Sequence, residues 1–94
     1  MFFTKPYMEN RFVVVVPKYS RIDSISYLAG KTVGFREGGS QFPAFQQLSV
    51  FPLIKEPRFF TNNIDVFNAL RMGLVDACVL DEGIARYLIK TSRN

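Results

Sequence analysis

Three short apolar runs, Phe12 to Val16, Val33 to Phe35 and Ala77 to Leu80, are separated by helical patterns, and that alternation constrains the fold more than any other feature. The run FVVVV is continuously apolar and β-branched until Pro17 stops it, which is the pattern of a central strand covered on both faces. Strands alternating with helices at this spacing predict right-handed βαβ units. The predicted class is therefore α/β, a three-layer open and mainly parallel sheet with helices on both faces. In such a sheet several strand C-termini share one edge, and ligands bind in the crevice outside it.

Local signals place the elements. Phe3 to Tyr7 contains Pro6, which holds the preceding residue extended, so this segment reads as a connector. Asp23 or Ser24 can cap a short helix through Ile25 and Leu28, closed by Gly30, and a strand follows over Thr32 to Arg36. Gly38 and Gly39 permit a tight turn, with Ser40 as N-cap of a helix from Gln41 to about Leu48 and Pro43 in its first turn. Pro52 and Pro57 bound a loop that leads into an apolar segment, Arg58 to Phe60. Asn62 or Asn63 caps the next helix, whose Ile64, Phe67 and Leu70 predict its buried face and which closes at Gly73. A strand over Val75 to Leu80 then leads into a last helix marked by Ile84, Tyr87 and Leu88, running out near Thr91.

At 94 residues the chain is one small domain at most, and such a domain buries roughly 60 to 65% of its unfolded surface. The net charge is +4, but Lys and Arg are spread along the chain rather than gathered into a stripe, so nucleic acid is not an expected partner. There is no histidine and one cysteine, Cys78, inside an apolar run, where a free thiol acts as a small hydrophobe. That inventory offers neither a disulfide framework nor a metal cluster, and it implies no cofactor. No apolar run approaches the ~18 residues of a membrane span, and Met1 to Asn10 lacks the pattern of a signal peptide.

The chemistry concentrates at two predicted strand ends. In VDACVLDE a buried strand delivers Asp81 to its C-terminal end, where a carboxylate can pair with an ammonium group or simply cap the following helix. After Phe35, the turn through Gly38, Gly39 and Ser40 offers backbone N–H groups to an anion, or is an ordinary strand-to-helix turn. An anion at one strand end and N–H groups at the other describe a site for a zwitterion. Glu82 reads as a solvated acid of the helix first turn, and Arg36 and Glu37 either frame the pocket or pair with each other. Asp65 is a helix first-turn acid and Asp76 a loop acid, while Phe3 and Tyr7 either pack in the connector or stack on a ligand.

These segments together resemble the extracellular solute-binding proteins of ABC importers, in the class that captures polar amino acids. FFTKPYMENRFVVVV is similar to the first hinge crossing of that family, a Phe-Ser/Thr-x-Pro-Tyr stretch leading into a strand. IDSISYLAGKTVGFREGGS is similar to the segment I-x-S-x-x-D-L-x-G-K-x-V-G-V-x-x-G-S/T, and NNIDVFNALRMGLVDACVLDEGIARYLI to N-x-E-A-L-x-A-L-x-x-G-x-V-D-A-x-x-x-D-x-x-x-A-x-Y-L. The last is the most specific. The resemblance implies a type II periplasmic-binding-protein lobe, with residues 1–10 as hinge connector and residues 11–94 as the second lobe of a two-lobed clamshell. The first lobe lies outside these residues.

On that resemblance the ligand contacts are Gly38, Gly39, Ser40 and Gln41 for the α-carboxylate and Asp81 for the α-ammonium, with no catalytic residue. Two positions depart from the family pattern. Gly39 stands where Ser or Thr is common, and Phe42 where many members carry an acid, so the resemblance does not fix which amino acid is bound. It implies a periplasmic or cell-surface location and an ABC permease as partner of the whole protein. A sensory input domain of a membrane receptor kinase uses the same lobe and would be told apart by flanking sequence. An enzyme on this scaffold would need a further acid or base, for which Glu37 and Glu82 are available. An uncovered sheet edge also predicts self-association of the isolated lobe.

Overall fold

The computed structural model describes residues 2–8, 11–20 and 24–92. Its strands are β1 (Phe2–Lys5), β2 (Phe12–Pro17), β3 (Thr32–Arg36), β4 (Glu56–Phe60) and β5 (Ala77–Asp81), joined in one sheet in the order β1-β2-β5-β3-β4. The α-helices are α1 (Gln41–Gln46), α2 (Asn63–Arg71) and α3 (Glu82–Thr91), with single 3-10 turns at Lys18–Ser20, Ile25–Leu28 and Phe51–Leu53. This is the α/β class expected, with helices on both faces.

The sheet is mixed. β3 runs parallel to β4 and β5, whereas β2 runs antiparallel to β1 and β5, so β2 alone opposes the other strands. Phe12 pairs with Asp81, which brings the start of β2 to the edge where β1, β3, β4 and β5 end. The connector expected around Phe3 is extended, but it is also a strand: Phe3 faces Val16 and Lys5 faces Val14 across β1 and β2. Pairing with residues a dozen positions away is what a local reading of Pro6 omits. Pro57 lies within β4 instead of bounding it, and an edge strand is where a sheet admits proline.

The alternation of side chains along the strands divides the core in two. Val13, Val15, Cys78 and Leu80 face α2 and α3, where they meet Val66, Phe67, Leu70 and Ala85. Val14, Val16, Val33, Phe35, Ala77 and Val79 face the other side, where Phe45 of α1, Leu28 and Val50 cover them. Phe35 anchors that side through edge-on contacts with Phe42 and Phe45, at ring-centroid distances of 5.0 and 5.2 Å. Cys78 is fully buried and unpaired, and desolvation pushes its thiol far above the usual range, so it packs as a hydrophobe.

Two helix faces differ from the expectation. Ile64 is exposed, and α2 buries Val66, Phe67, Ala69 and Leu70. Ile84 and Tyr87 are likewise exposed, and α3 packs through Ala85, Leu88 and Ile89. Apolar residues at i+3 spacing occur on both sides of each helix, so periodicity alone picks the wrong member. Ser24 holds the position before the first short helix without a side-chain cap, and that element is a 3-10 turn; Asp23 lies outside the described residues.

The opposite edge is tied by Asp76, the expected loop acid. Its Oδ2 accepts from Thr32 N–H at 3.0 Å while its own N–H donates to Thr32 C=O at 2.9 Å, clamping the starts of β3 and β5. Asp76→Ala would leave the Thr32 N–H short of its acceptor and is expected to lower stability by about 1 kcal/mol in urea unfolding. Asp76→Asn, which keeps an acceptor, should recover most of that loss, and equal midpoints for Asp76→Ala and the parent protein would contradict the clamp.

Candidate functional site

β3 and β5 are neighbours running the same way, with Gly34 beside Cys78. Carried three residues further, that register sets Glu37 beside Asp81, so the turn after β3 and the end of β5 stand one strand spacing apart, about 4.8 Å. Both expected strand ends therefore meet at one edge, joined by the start of β2 and the start of α2.

The turn is built by glycine. Gly38 has φ +76°, a conformation that side chains disfavour, and Gly39 N–H donates back to Arg36 C=O at 3.4 Å. Ser40 then takes helical angles, and its carbonyl accepts the first helical bond from Ala44 N–H at 3.1 Å. Its hydroxyl makes no capping bond, which differs from the expected N-cap. Ser40 is itself helical and exposed, so its hydroxyl stays open to solvent. The N–H groups of Ser40, Gln41 and Phe42 have no backbone or side-chain acceptor among the described residues.

Gln41 lies differently from the other expected ligand residues, with only 6% of its surface exposed. Its carboxamide folds over Gly39 and fills the room in which a side chain at 39 would sit, with Arg36 Nε 3.2 Å from that same position. A side chain at 39 would have to displace that carboxamide. Phe42, half-buried, belongs to the aromatic cluster, 4.9 Å from Phe59 and 5.7 Å from Phe51 by ring centroids.

Asp81 is half-buried at the N-cap of α3, and its Oδ1 accepts from Gly83 N–H at 2.9 Å. Its second oxygen has no protein partner among the described residues, so the capping role and a ligand role are compatible. Glu82 is held by Arg86 one turn on, at 3.0 Å, as a first-turn acid would be. No ion pair joins Arg36 to Glu37 among the described residues. Asp65 sits in the first turn of α2 beside its cap Asn62, whose Oδ1 accepts from Asp65 N–H at 2.8 Å. Tyr7 packs against the core side that holds Phe35, while Phe3 is exposed on β1 with Lys5 Nζ 5.3 Å from its ring.

Sequence reasoning missed Arg11. It takes φ +67°, unusual for a side-chain-bearing residue, and thereby turns its carbonyl to accept Glu82 N–H at 2.8 Å, fixing the start of α3 against β2. It also treated Asn63 only as a possible cap; Asn62 takes that role, and Asn63 Oδ1 is buried without a partner. Concavities of about 500 Å³, between β1 and α3, and about 240 Å³, at the Asp76 edge, lie away from Asp81.

No family sequence model and no curated protein sequence matches the chain. Solved structures do. Domain 2 of TmArgBP is 32% identical, with 85% of each chain covered and a TM-score of 0.69. A polar amino acid ABC uptake transporter substrate binding protein from Streptococcus thermophilus is 28% identical over 98% of this chain, with a TM-score of 0.78. Holo ArgBP from T. maritima is 30% identical over 96% of this chain, with a TM-score of 0.70. This chain spans 37% and 39% of those two longer proteins, against 85% of the isolated second domain.

The fit of Gln41 over Gly39 can be tested directly. Gly39→Ala is expected to cost about 1 kcal/mol, at the low end for overpacking because a glutamine amide can swing outward. In a Gln41→Ala background the same change should cost almost nothing, a coupling that a double-mutant cycle in urea reads out. Additive effects would show that the two residues do not share this space.

Proposed function

The chain belongs to the amino acid ABC transporter substrate-binding proteins, matching their second domain, and on that premise we propose that it binds an amino acid for uptake by closing against a first lobe. The observation that carries the reading is the pairing of opposite chemistries at one sheet edge. Asp81 offers a carboxylate with one oxygen uncommitted, and beside it the turn after Gly38 offers the N–H groups of Ser40, Gln41 and Phe42 and the Ser40 hydroxyl. A free amino acid carries the complementary pair on one carbon. The α-ammonium goes to Asp81 and the α-carboxylate to the turn, while Gln41 contributes its backbone N–H.

Binding without chemistry suits these residues, since the proposed contacts supply hydrogen bonds and charge but no nucleophile beside a general base. A site at one sheet edge suits a half-site completed by another lobe, and the segment that contains β1 would cross between the two. Affinity then comes from both lobes, so this domain alone should bind weakly. The permease of the importer is the partner of the closed protein, on the outer side of the membrane; among the described residues no helix is long and apolar enough to cross it. The exposed outer edge of β1, with Phe3 uncovered, supports self-association of the isolated domain.

Asp81→Asn separates the two roles of that residue. Asparagine caps a helix as well as aspartate does, so the Gly83 bond and the fold should persist while the negative charge is lost. In calorimetric titration of the two-lobed protein with its amino acid, Asp81→Asn should weaken binding by about 2 kcal/mol or more, roughly 30-fold, with unfolding stability within ~0.5 kcal/mol of the parent. Undiminished affinity would remove Asp81 from the site.

A further inference from the structure

We propose that Arg36, assisted by the carboxamides of Gln41 and Asn63, forms a subsite for a second carboxylate, so that the ligand class is an amino acid with an acidic side chain. This rests on the reading of the Asp81 edge as an amino-acid site. Three side-chain atoms there are buried without a partner: Arg36 Nε, Gln41 Oε1 and Asn63 Oδ1. Polar groups in that state destabilise a fold unless something meets them.

They come from three elements that begin or end at the same sheet edge. Arg36 ends β3, Gln41 opens α1 and Asn63 opens α2. Arg36 is in register with Phe60, and Glu37 N–H donates to Phe60 C=O at 2.7 Å, which holds the approach to α2 beside the turn. Arg36 Nε and the Gln41 amide both lie against Gly39, inside the turn proposed to hold the α-carboxylate.

The charges point to an anion. The ion pairs among the described residues, Arg58 with Glu56 and Arg86 with Glu82, leave Arg36 without a carboxylate. A guanidinium only donates, and its planar fork matches a carboxylate. Either carboxamide can present its NH₂ group by a half-turn, since oxygen and nitrogen are interchangeable in shape. With the α-ammonium on Asp81 and the α-carboxylate on the backbone N–H groups, Arg36 is left for a further negative group. A cationic side chain would meet like charge there.

The test uses the ¹⁵N-labelled 94-residue chain, titrated at constant ionic strength into the tens of millimolar with L-glutamate, L-aspartate, L-glutamine or L-arginine. Glutamate or aspartate should shift the amide signals of Gly39 and Ser40 and the Arg36 Nε–H signal at concentrations about tenfold or more below those needed for glutamine or arginine. Arg36→Gln should abolish that preference while leaving the glutamine response in place, and Arg36→Lys, which keeps the charge, should retain part of it. Equal responses to glutamate and glutamine, a preference for arginine, or a folded Arg36→Gln variant that still prefers the acids would overturn the Arg36 subsite and leave the amino-acid site standing. Silence of Ser40 and Asp81 toward all four would overturn both.

Discussion

The rest of the structure depends on β5 being held on all sides. Ala77, Cys78, Val79 and Leu80 are completely buried, β2 pairs with the strand on one side and β3 on the other, and core side chains cover both faces. A strand so enclosed can place its last residue with little freedom. Asp81 is that residue, and its carboxylate is fixed again by Gly83 N–H at the start of α3. The same enclosure fixes the neighbouring turn, because β3 is registered to β5 and cannot slip without moving its whole apolar face to the wrong side. A rigid pair of strand ends is what recognition of a small zwitterion requires, since each displaced hydrogen bond costs affinity directly.

Much of this was legible in the chain. FVVVV, TVGF and ACVL announce buried strands because β-branched and apolar residues without alternation fit only a sheet covered twice, and Gly30, Gly38 and Gly73 mark turns that the structure takes at positive φ. The direction of β2 was not legible, since strand polarity is decided by pairing across the fold and not by local pattern. The same is true of β1, whose partners lie a dozen residues away. Helix faces were half legible: Phe67 and Leu70 were found, but Ile64 and Tyr87 are apolar residues left on the solvent side, which no period can distinguish.

At the site, residue types were legible and their states were not. Asp81 and the Gly38 to Ser40 turn could be placed at strand ends from order alone. That Ser40 does not cap, that Gln41 is buried over Gly39 and that Asn63 hides an unmet amide depend on side-chain rotamers and on packing between elements distant in sequence. Polar residues are read as surface by default, so buried amides escape a reading by composition. Arg11 escaped for a related reason, as nothing in its side chain signals that its backbone must turn left to meet Glu82.

The central claim is that this edge receives both charges of one amino acid. A crystal structure of the two-lobed protein with its ligand tests it most directly. The ligand ammonium should lie about 3 Å from the free oxygen of Asp81, with Gly83 N–H still on the other oxygen, and the α-carboxylate on the N–H groups of the turn at Ser40 and Gln41. A ligand whose ammonium is held elsewhere, with Asp81 engaged only by Gly83, would contradict it.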